Sequence, residues 1–298
     1  MTPLPDATIP DRFIRVIDHI DSHLESVPGV KVLAGIAAYS PYHFHRQFAA
    51  LFDIPVAQYV RLMRLRRAAH ALAFRTNQQI IEIAFQAGYE TPEAFARAFR
   101  KIHDQSPTDF RAAPDWENWQ APYDKLRTVR ARSNRMTTPS VGDIAVIDFP
   151  RTRTICLDHH GPQAHLGHTI RRFIDWRRAH HLPPSKAATF NIIWCHPDDT
   201  PPADFRFGLG VATPNRLTAD DANMGLYELM LPAMRCAKLR HIGSDQMIGD
   251  SALRLYRDWL PQSSETPGDF PLFFQRVSFY PDVPDHEAIT DIFLPLAS

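Results

Sequence analysis

The chain has 298 residues, with 33 basic and 33 acidic side chains, so its formal charge at pH 7 is zero. Hydrophobic residues make up 44% and charged ones 22%, a globular balance that excludes a disordered chain or a fibrous rod. At ~150 residues per domain the length predicts about two domains.

From residue 10 to about 112 apolar residues recur at spacings of three and four, which predicts helix after helix. Leu33 to Ala38 reads as a short helix. Ser40 is a natural N-cap and Pro41 suits the first helical position, so a second helix starts there. Its inner face is expected to carry Phe44, Phe48 and Leu51, and its outer face Tyr42, His45, Arg46 and Ala49. Helix, tight turn and capped helix with an exposed Arg make a helix-turn-helix. A long basic helix follows over Pro55–Phe74, with Val56, Tyr59, Val60, Met63 and Leu72 apolar and Arg61, Arg64, Arg66 and Arg67 charged. The unit then repeats. Ile80, Ile81, Ile83 and Ala84 form the short helix, Gly88 the turn, and Thr91 and Pro92 the second start. Phe95, Phe99 and Ile102 point inward, and Glu93, Arg97 and Arg100 outward. An offset of 51 superposes Ser40-Pro41 on Thr91-Pro92, Phe44 on Phe95, Arg46 on Arg97 and Phe48 on Phe99.

Prolines and polar residues without a sustained period make residues 114–139 a linker between a domain at 8–113 and another at 140–298. In the second domain strands are expected over 144–149, 154–157, 188–194, 205–211, 226–231, 235–240, 272–279 and 289–294. Helices are expected over about 164–180 and 246–260, giving an α+β pattern. An offset of 83 puts Ile170 on Leu253, Phe173 on Tyr256 and Trp176 on Trp259. His159-His160-Gly161 matches His241-Ile242-Gly243 one residue out of step. Each half of the chain therefore reads as a pseudo-dimer of a smaller unit.

With LAGIAAYSPYHFHRQFAALF and IIEIAFQAGYETPEAFARAFRKIHDQSPTDFR in view, the front half resembles the DNA-binding domain of the AraC/XylS family of transcription regulators. That resemblance implies an all-α N-terminal domain with two helix-turn-helix units joined by a long helix. The partner is then double-stranded DNA at a promoter site, read in the major groove. Tyr42, His45 and Arg46 are the implied base readers of the first unit, and Pro92, Glu93 and Arg97 those of the second. Glu93 has two readings: it accepts from a cytosine amine, or it favours the positive end of its helix. Arg61, Arg64 and Arg100 are candidates for phosphate contacts. RNA polymerase is an expected further partner.

The back half resembles the GyrI-like (gyrase-inhibitor-like) effector-binding domain, through His160-Gly161-Pro162-Gln163, Trp194-Cys195-His196-Pro197-Asp198-Asp199, Trp259-Leu260-Pro261 and Asp291-Ile292-Phe293-Leu294-Pro295-Leu296. This implies two pseudo-twofold-related sheet-and-helix halves with an apolar cleft for a small molecule, aromatic or cationic. Cleft walls are expected from Trp176, Trp194, Tyr227, Trp259, Phe273 and Phe274, with Glu228 as the polar anchor. Gln275 and Arg276 stand where many relatives carry a buried glutamate. Two alternatives stay open: a hydrolase-like back half, hinted at by Glu228 with Cys236 or a His, and a protein-interaction module without a ligand.

His159, His160, His165 and His168, with Cys195 and His196, lack the spacing of a metal site. No P-loop, dinucleotide fingerprint or nucleophile elbow occurs, so no cofactor, metal or catalytic residue is expected. Cys156, Cys195 and Cys236 form no CxxC pair, the N-terminus lacks a signal peptide's apolar core, and no run reaches the ~18 apolar residues of a membrane helix. A cytoplasmic location is expected, with no membrane partner.

Overall fold

The computed structural model describes residues 9–119, 121–126, 128, 129, 144–195 and 199–297. The chain divides into two compact units, 1–140 and 141–298.

Among the described residues the first unit includes the helices α1 (Ile9–Ser22), α2 (Val30–Ile36), α3 (Pro41–Phe52), α4 (Val56–Phe74), α5 (Ile80–Gln86), α6 (Pro92–His103) and α7 (Pro107–Ala112). The two helix-turn-helix units are α2–α3 and α5–α6. Their second helices start alike: the Ser40 hydroxyl accepts from the His43 amide and the Thr91 hydroxyl from the Ala94 amide, with proline next in both. They also end alike, on Asp53 and Asp104 in the left-handed region, at φ 56° and 55°. The repeat offset is 51 for α3 and α6 but 50 for α2 and α5, where Leu33, Ala34 and Ala37 match the equally buried Ile83, Ala84 and Ala87. The second turn holds one residue more, between Gly88 and Thr91.

Leu51 and Ile102 are only half-buried, contrary to expectation. Phe52 and His103 take the inner places, because the buried row runs at i, i+4 and i+8 from Phe44 and Phe95. Helix α4 is buried on nearly every side, with Val56, Tyr59, Leu62, Met63, Leu65, Leu72 and Phe74 among its buried residues. A linker reading does not describe residues 114–129: Trp116, Tyr123, Leu126 and Val129 are buried. Trp116 and Trp119 lie 5.6 and 5.8 Å from the Phe74 ring, closing the end of α4. Irregularly spaced aromatics build this cap, so no period announced it. The remainder of the expected linker, from 130 on, lies outside the described residues.

The second unit carries β1 (Ala145–Phe149), β2 (Thr152–His160), α8 (Leu166–Ala179), β3 (Thr189–Ile193), β4 (Arg206–Ala212), α9 (Ala219–Asn223), β5 (Leu226–Leu231), β6 (Met234–Ile242), α10 (Ile248–Arg254), β7 (Phe273–Ser278) and β8 (Ile289–Pro295). All eight strands form one antiparallel sheet in the order β1-β6-β8-β7-β3-β4-β2-β5. The order is symmetric about the β7–β3 seam, the pseudo-twofold between the halves.

Two residues, Pro150 and Arg151, join β1 to β2, and Pro232 and Ala233 join β5 to β6. In each case the joined strands stand six places apart in the sheet, about 29 Å if it were flat. Three Cα steps span at most about 11 Å, so the sheet must curl. Its concave face gathers Phe149, Cys156, Phe190, Ile192, Leu231, Cys236, Phe273 and Phe293. On the other face α8 covers the first half, through Phe173 and Trp176, and α10 the second, through Ile248 with Leu255 beyond its end.

The match of Phe173 to Tyr256 at an offset of 83 needs correction. His159 bonds the Thr169 hydroxyl (2.9 Å) and sits 3.1 Å from the Pro162 carbonyl; His241 does the same with Ser251 (2.8 Å) and Ser244 (3.1 Å), all 82 residues on. Leu255, not the exposed Tyr256, is the buried mate of Phe173. A π-turn at Leu255–Trp259 then adds one residue and brings Trp259 back onto Trp176 at 83.

Candidate functional site

Candidate residues fall in both units. On α3 burying Phe44, Phe48 and Phe52 turns Tyr42, His45 and Arg46 outward, with Tyr42 64% exposed. The Arg46 guanidinium lies 4.7 Å from the centre of the Tyr42 ring, a cation–π contact that limits its rotamers. On α6 burying Phe95 and Phe99 turns Glu93, Arg97 and Arg100 outward, while Pro92 is half-buried at the first helical position. Glu93 stands in the first turn, where a carboxylate favours the helix dipole.

Arg61 is exposed on α4, but Arg64 has other work. Its Nε donates to the Leu24 carbonyl at 2.7 Å, and its guanidinium covers Gly88 so closely that a Cβ there would meet Nη1 at 2.5 Å. Half-buried and bonded to backbone, it braces the segment before α2 against the turn of the second helix-turn-helix, and its Nε is not free for the phosphate contact expected of it.

In the second unit the expected cleft walls separate. Phe273 is fully buried in the concave core, its ring 4.9 Å from both Phe149 and Phe293. Phe274 and the half-buried Trp259 pack on the opposite face against α10. Trp176 is core under α8 and donates to Asp221 at 2.7 Å. Glu228 is exposed, pairs with Arg153 and accepts from the Leu217 amide, so it anchors nothing in the cleft. Neighbouring positions on a strand face opposite ways, which is why one run of aromatics could not line one wall.

Trp194 and Tyr227 do meet, around a residue that sequence reasoning missed. Asp158 stands on β2 on the same face as Cys156, with its side chain only 6% exposed. Its Oδ1 accepts from the Tyr227 hydroxyl at 2.8 Å and lies 3.4 Å from the Trp194 indole nitrogen. Its Oδ2 accepts from Nε and Nη2 of Arg206, both at 2.6 Å. Arg206 in turn lies over Trp194, its guanidinium carbon 4.1 Å from the ring centre. Gly208 on β4 makes the approach possible: a Cβ there would stand 3.1 Å from the Trp194 nitrogen and 3.2 Å from Asp158. The available signal was the lone acid of the Cys156–His160 alternation. Burial pushes the Tyr227 phenol up, as do Cys156 and Asp158 beside it. An open pocket of about 400 Å³ adjoins, lined by Leu157, Asp158, His160, Arg172, Arg206, Met224, Gly225 and Tyr227.

Burial pushes the Cys156 thiol up to about 12, despite its hydrogen bond with Thr154, and Cys236 up to about 11. Both are poor nucleophiles where they stand. Among the described residues no group of three His, Cys, Asp or Glu could hold a metal ion, and no helix is long and apolar enough to cross a membrane. His159 is spent on Thr169; His196 lies outside the described residues.

Residues 142–297 match the GyrI-like small molecule binding domain and residues 33–113 a helix-turn-helix domain. The chain is 30% identical over 158 residues, 52% of its length and 96% of the other's, to a probable transcriptional regulator, YgiV, of Escherichia coli K12. It is 32% identical over 96 residues, 32% of its length and 89% of the other's, to the regulatory protein SoxS of Salmonella typhimurium. A crystal structure of the DNA-binding domain of AdpA with a target DNA aligns at 27% identity and a TM-score of 0.31, covering 36% of this chain and 91% of that one.

Proposed function

The chain belongs to the GyrI-like small-molecule-binding family and is a DNA-binding transcription regulator of AraC type; from that premise we propose that a small molecule bound by the second unit modulates its action on DNA. The observation that carries the DNA half of the reading is the matched pair α3 and α6. Both are capped by a hydroxyl, begun by proline and anchored by buried phenylalanines, Phe44, Phe48 and Phe52 in one and Phe95 and Phe99 in the other. Both leave an arginine, Arg46 or Arg97, in solvent. Tyr42, His45, Arg46, Pro92, Glu93 and Arg97 read base edges in this proposal, while Arg61 and Arg100 hold phosphates. The domain boundaries follow the same reading: DNA binding within 8–113 and effector binding within 140–298.

The effector half rests on the Asp158–Arg206–Tyr227 cluster beside its pocket, a concave site with a few fixed polar groups. An effector acts by binding two states unequally. RNA polymerase at the promoter is the partner on which the regulator acts. Genome-wide footprinting of the purified protein tests the first half, and in vitro transcription from a footprinted promoter, with and without effector, tests the second. Absence of protected sites would remove the DNA reading. A transcript level indifferent to every molecule that shifts the protein's melting point would remove the effector reading.

A further inference from the structure

We infer that the effector pocket is an anion receptor, built for a small aromatic carboxylate rather than for a cation. The inference rests on the effector reading above and gives it a chemical class. Among the residues lining the pocket Asp158 is the one acid, facing two arginines, Arg172 and Arg206, with His160 as a further donor. Asp158 is nearly buried and already accepts from Tyr227 and twice from Arg206. A cationic ligand would have to eject Arg206 from this carboxylate and then meet Arg172.

Arg206, by contrast, is arranged to receive. Asp158 takes Nε and one Nη2 proton, two of the five N–H groups of a guanidinium. Trp194 covers one face of the plane at 4.1 Å. The group is thereby held in place by Asp158 and Trp194 while its side chain stays 40% exposed at the pocket. Such a fixed fork suits a planar carboxylate bound bidentately. Arg172 approaches from α8, its Nη2 held by the Met224 carbonyl at 2.8 Å. Leu157, Met224 and Tyr227 supply the apolar and aromatic wall for the rest of the molecule. Asp158 and Tyr227 thus act as positioning residues for Arg206.

The test uses the full-length protein and three matched probes: biphenyl-4-carboxylate, its neutral carboxamide and the biphenyl-4-trimethylammonium cation. Isothermal titration is expected to give the carboxylate a Kd at least about tenfold tighter than the amide, the scale of one charge-assisted contact. Arg172→Gln, and separately Arg206→Gln, should bring the carboxylate to the level of the amide. Arg172→Gln is the safer variant, because Arg206→Gln also strips Asp158 of its partner. Preference for the cation would overturn the anion assignment and leave the effector reading standing. Equal binding of carboxylate and amide, or a preference untouched by Arg172→Gln in a protein with unchanged circular dichroism, would also overturn it. Failure of all three probes to bind would overturn both.

Discussion

His103 and Tyr123 share a hydrogen bond of 2.7 Å that ties the last turn of α6 to the segment beyond α7. His103 also stacks on Phe99, 4.3 Å away, so the imidazole belongs to the core of the second helix-turn-helix. Burial holds its pKa down, to about 4. The unfolded chain, with an ordinary value near 6.5, takes up the proton first as pH falls. Stability is therefore full above about pH 6.5 and falls between about 6.5 and 4, by roughly 2–3 kcal/mol from this group. Urea midpoints measured at pH 7 and 4.5 should separate by less in His103→Gln, which keeps a polar partner for Tyr123 without titrating. Equal pH slopes in both proteins would remove His103 as the cause.

Gly88 adopts φ 78° directly under Arg64. Gly88→Ala therefore adds left-handed strain of about 1 kcal/mol and a clash, for a total near 2–3 kcal/mol. Arg64→Ala removes the obstacle. The double variant should lose less than the sum of the two single losses, a non-additivity that thermal melts would register. Strict additivity would mean that the two residues do not press on each other.

Four arginines should separate by role in binding a footprinted site. Arg46→Ala and Arg97→Ala are expected to relax preference at particular base pairs, by roughly 1–3 kcal/mol each. Arg61→Ala should weaken all sequences alike and reduce the salt slope by about 1. Arg64→Ala should lower the melting point instead, since its Nε is spent on Leu24. A competition assay against single-base variants, repeated over a salt series, reads all four. One uniform loss across the set would sink the assignment of base readers.

Asp221 is buried, yet its pKa lies below the usual carboxylate value: burial alone would raise it, but bonds from Thr218 and Trp176 prevail. Trp176→Phe keeps most of the packing and removes one donor. A destabilisation of about 1–3 kcal/mol is expected, largest at neutral pH, where the carboxylate is charged. Denaturant unfolding at pH 7 measures it, and an unchanged midpoint would contradict the role given to the indole.

The thiols offer a simple check of the curled sheet. Cys156 and Cys236 are buried on its concave face, while Cys195 is partly exposed. Under native conditions a thiol reagent should modify no more than one cysteine quickly, with the other two reacting only at the rate of unfolding. Fast modification of all three would show the concave face to be open.

Capping and period made α3, α6 and the strands legible in the sequence, since Ser40-Pro41, Thr91-Pro92 and alternating β-branched runs act locally. Residues whose role depends on a distant partner were not legible. Arg64 carries charge like its neighbours on α4, and only its meeting with Leu24 and Gly88 makes it a brace. Phe273 and Phe274 share an element but not a face, so both could not wall one cleft. Asp158 belongs to no local pattern strong enough to mark it; it matters because β4 and β5 deliver Arg206 and Tyr227 to it. Trp116 and Tyr123 hid in a proline-rich stretch because a cap of scattered aromatics has no period.

The crossed links of the curled sheet have an evolutionary consequence. Strand β1 belongs with β2, β3 and β4 to the first repeat yet pairs with β6 of the second, while β3 leans on β7 along the seam. Deleting residues 232–298 would strand β1 without a neighbour and lay bare the edge of β3. A lineage that began by doubling one small gene could not, after this exchange, shed either copy and keep a folded domain.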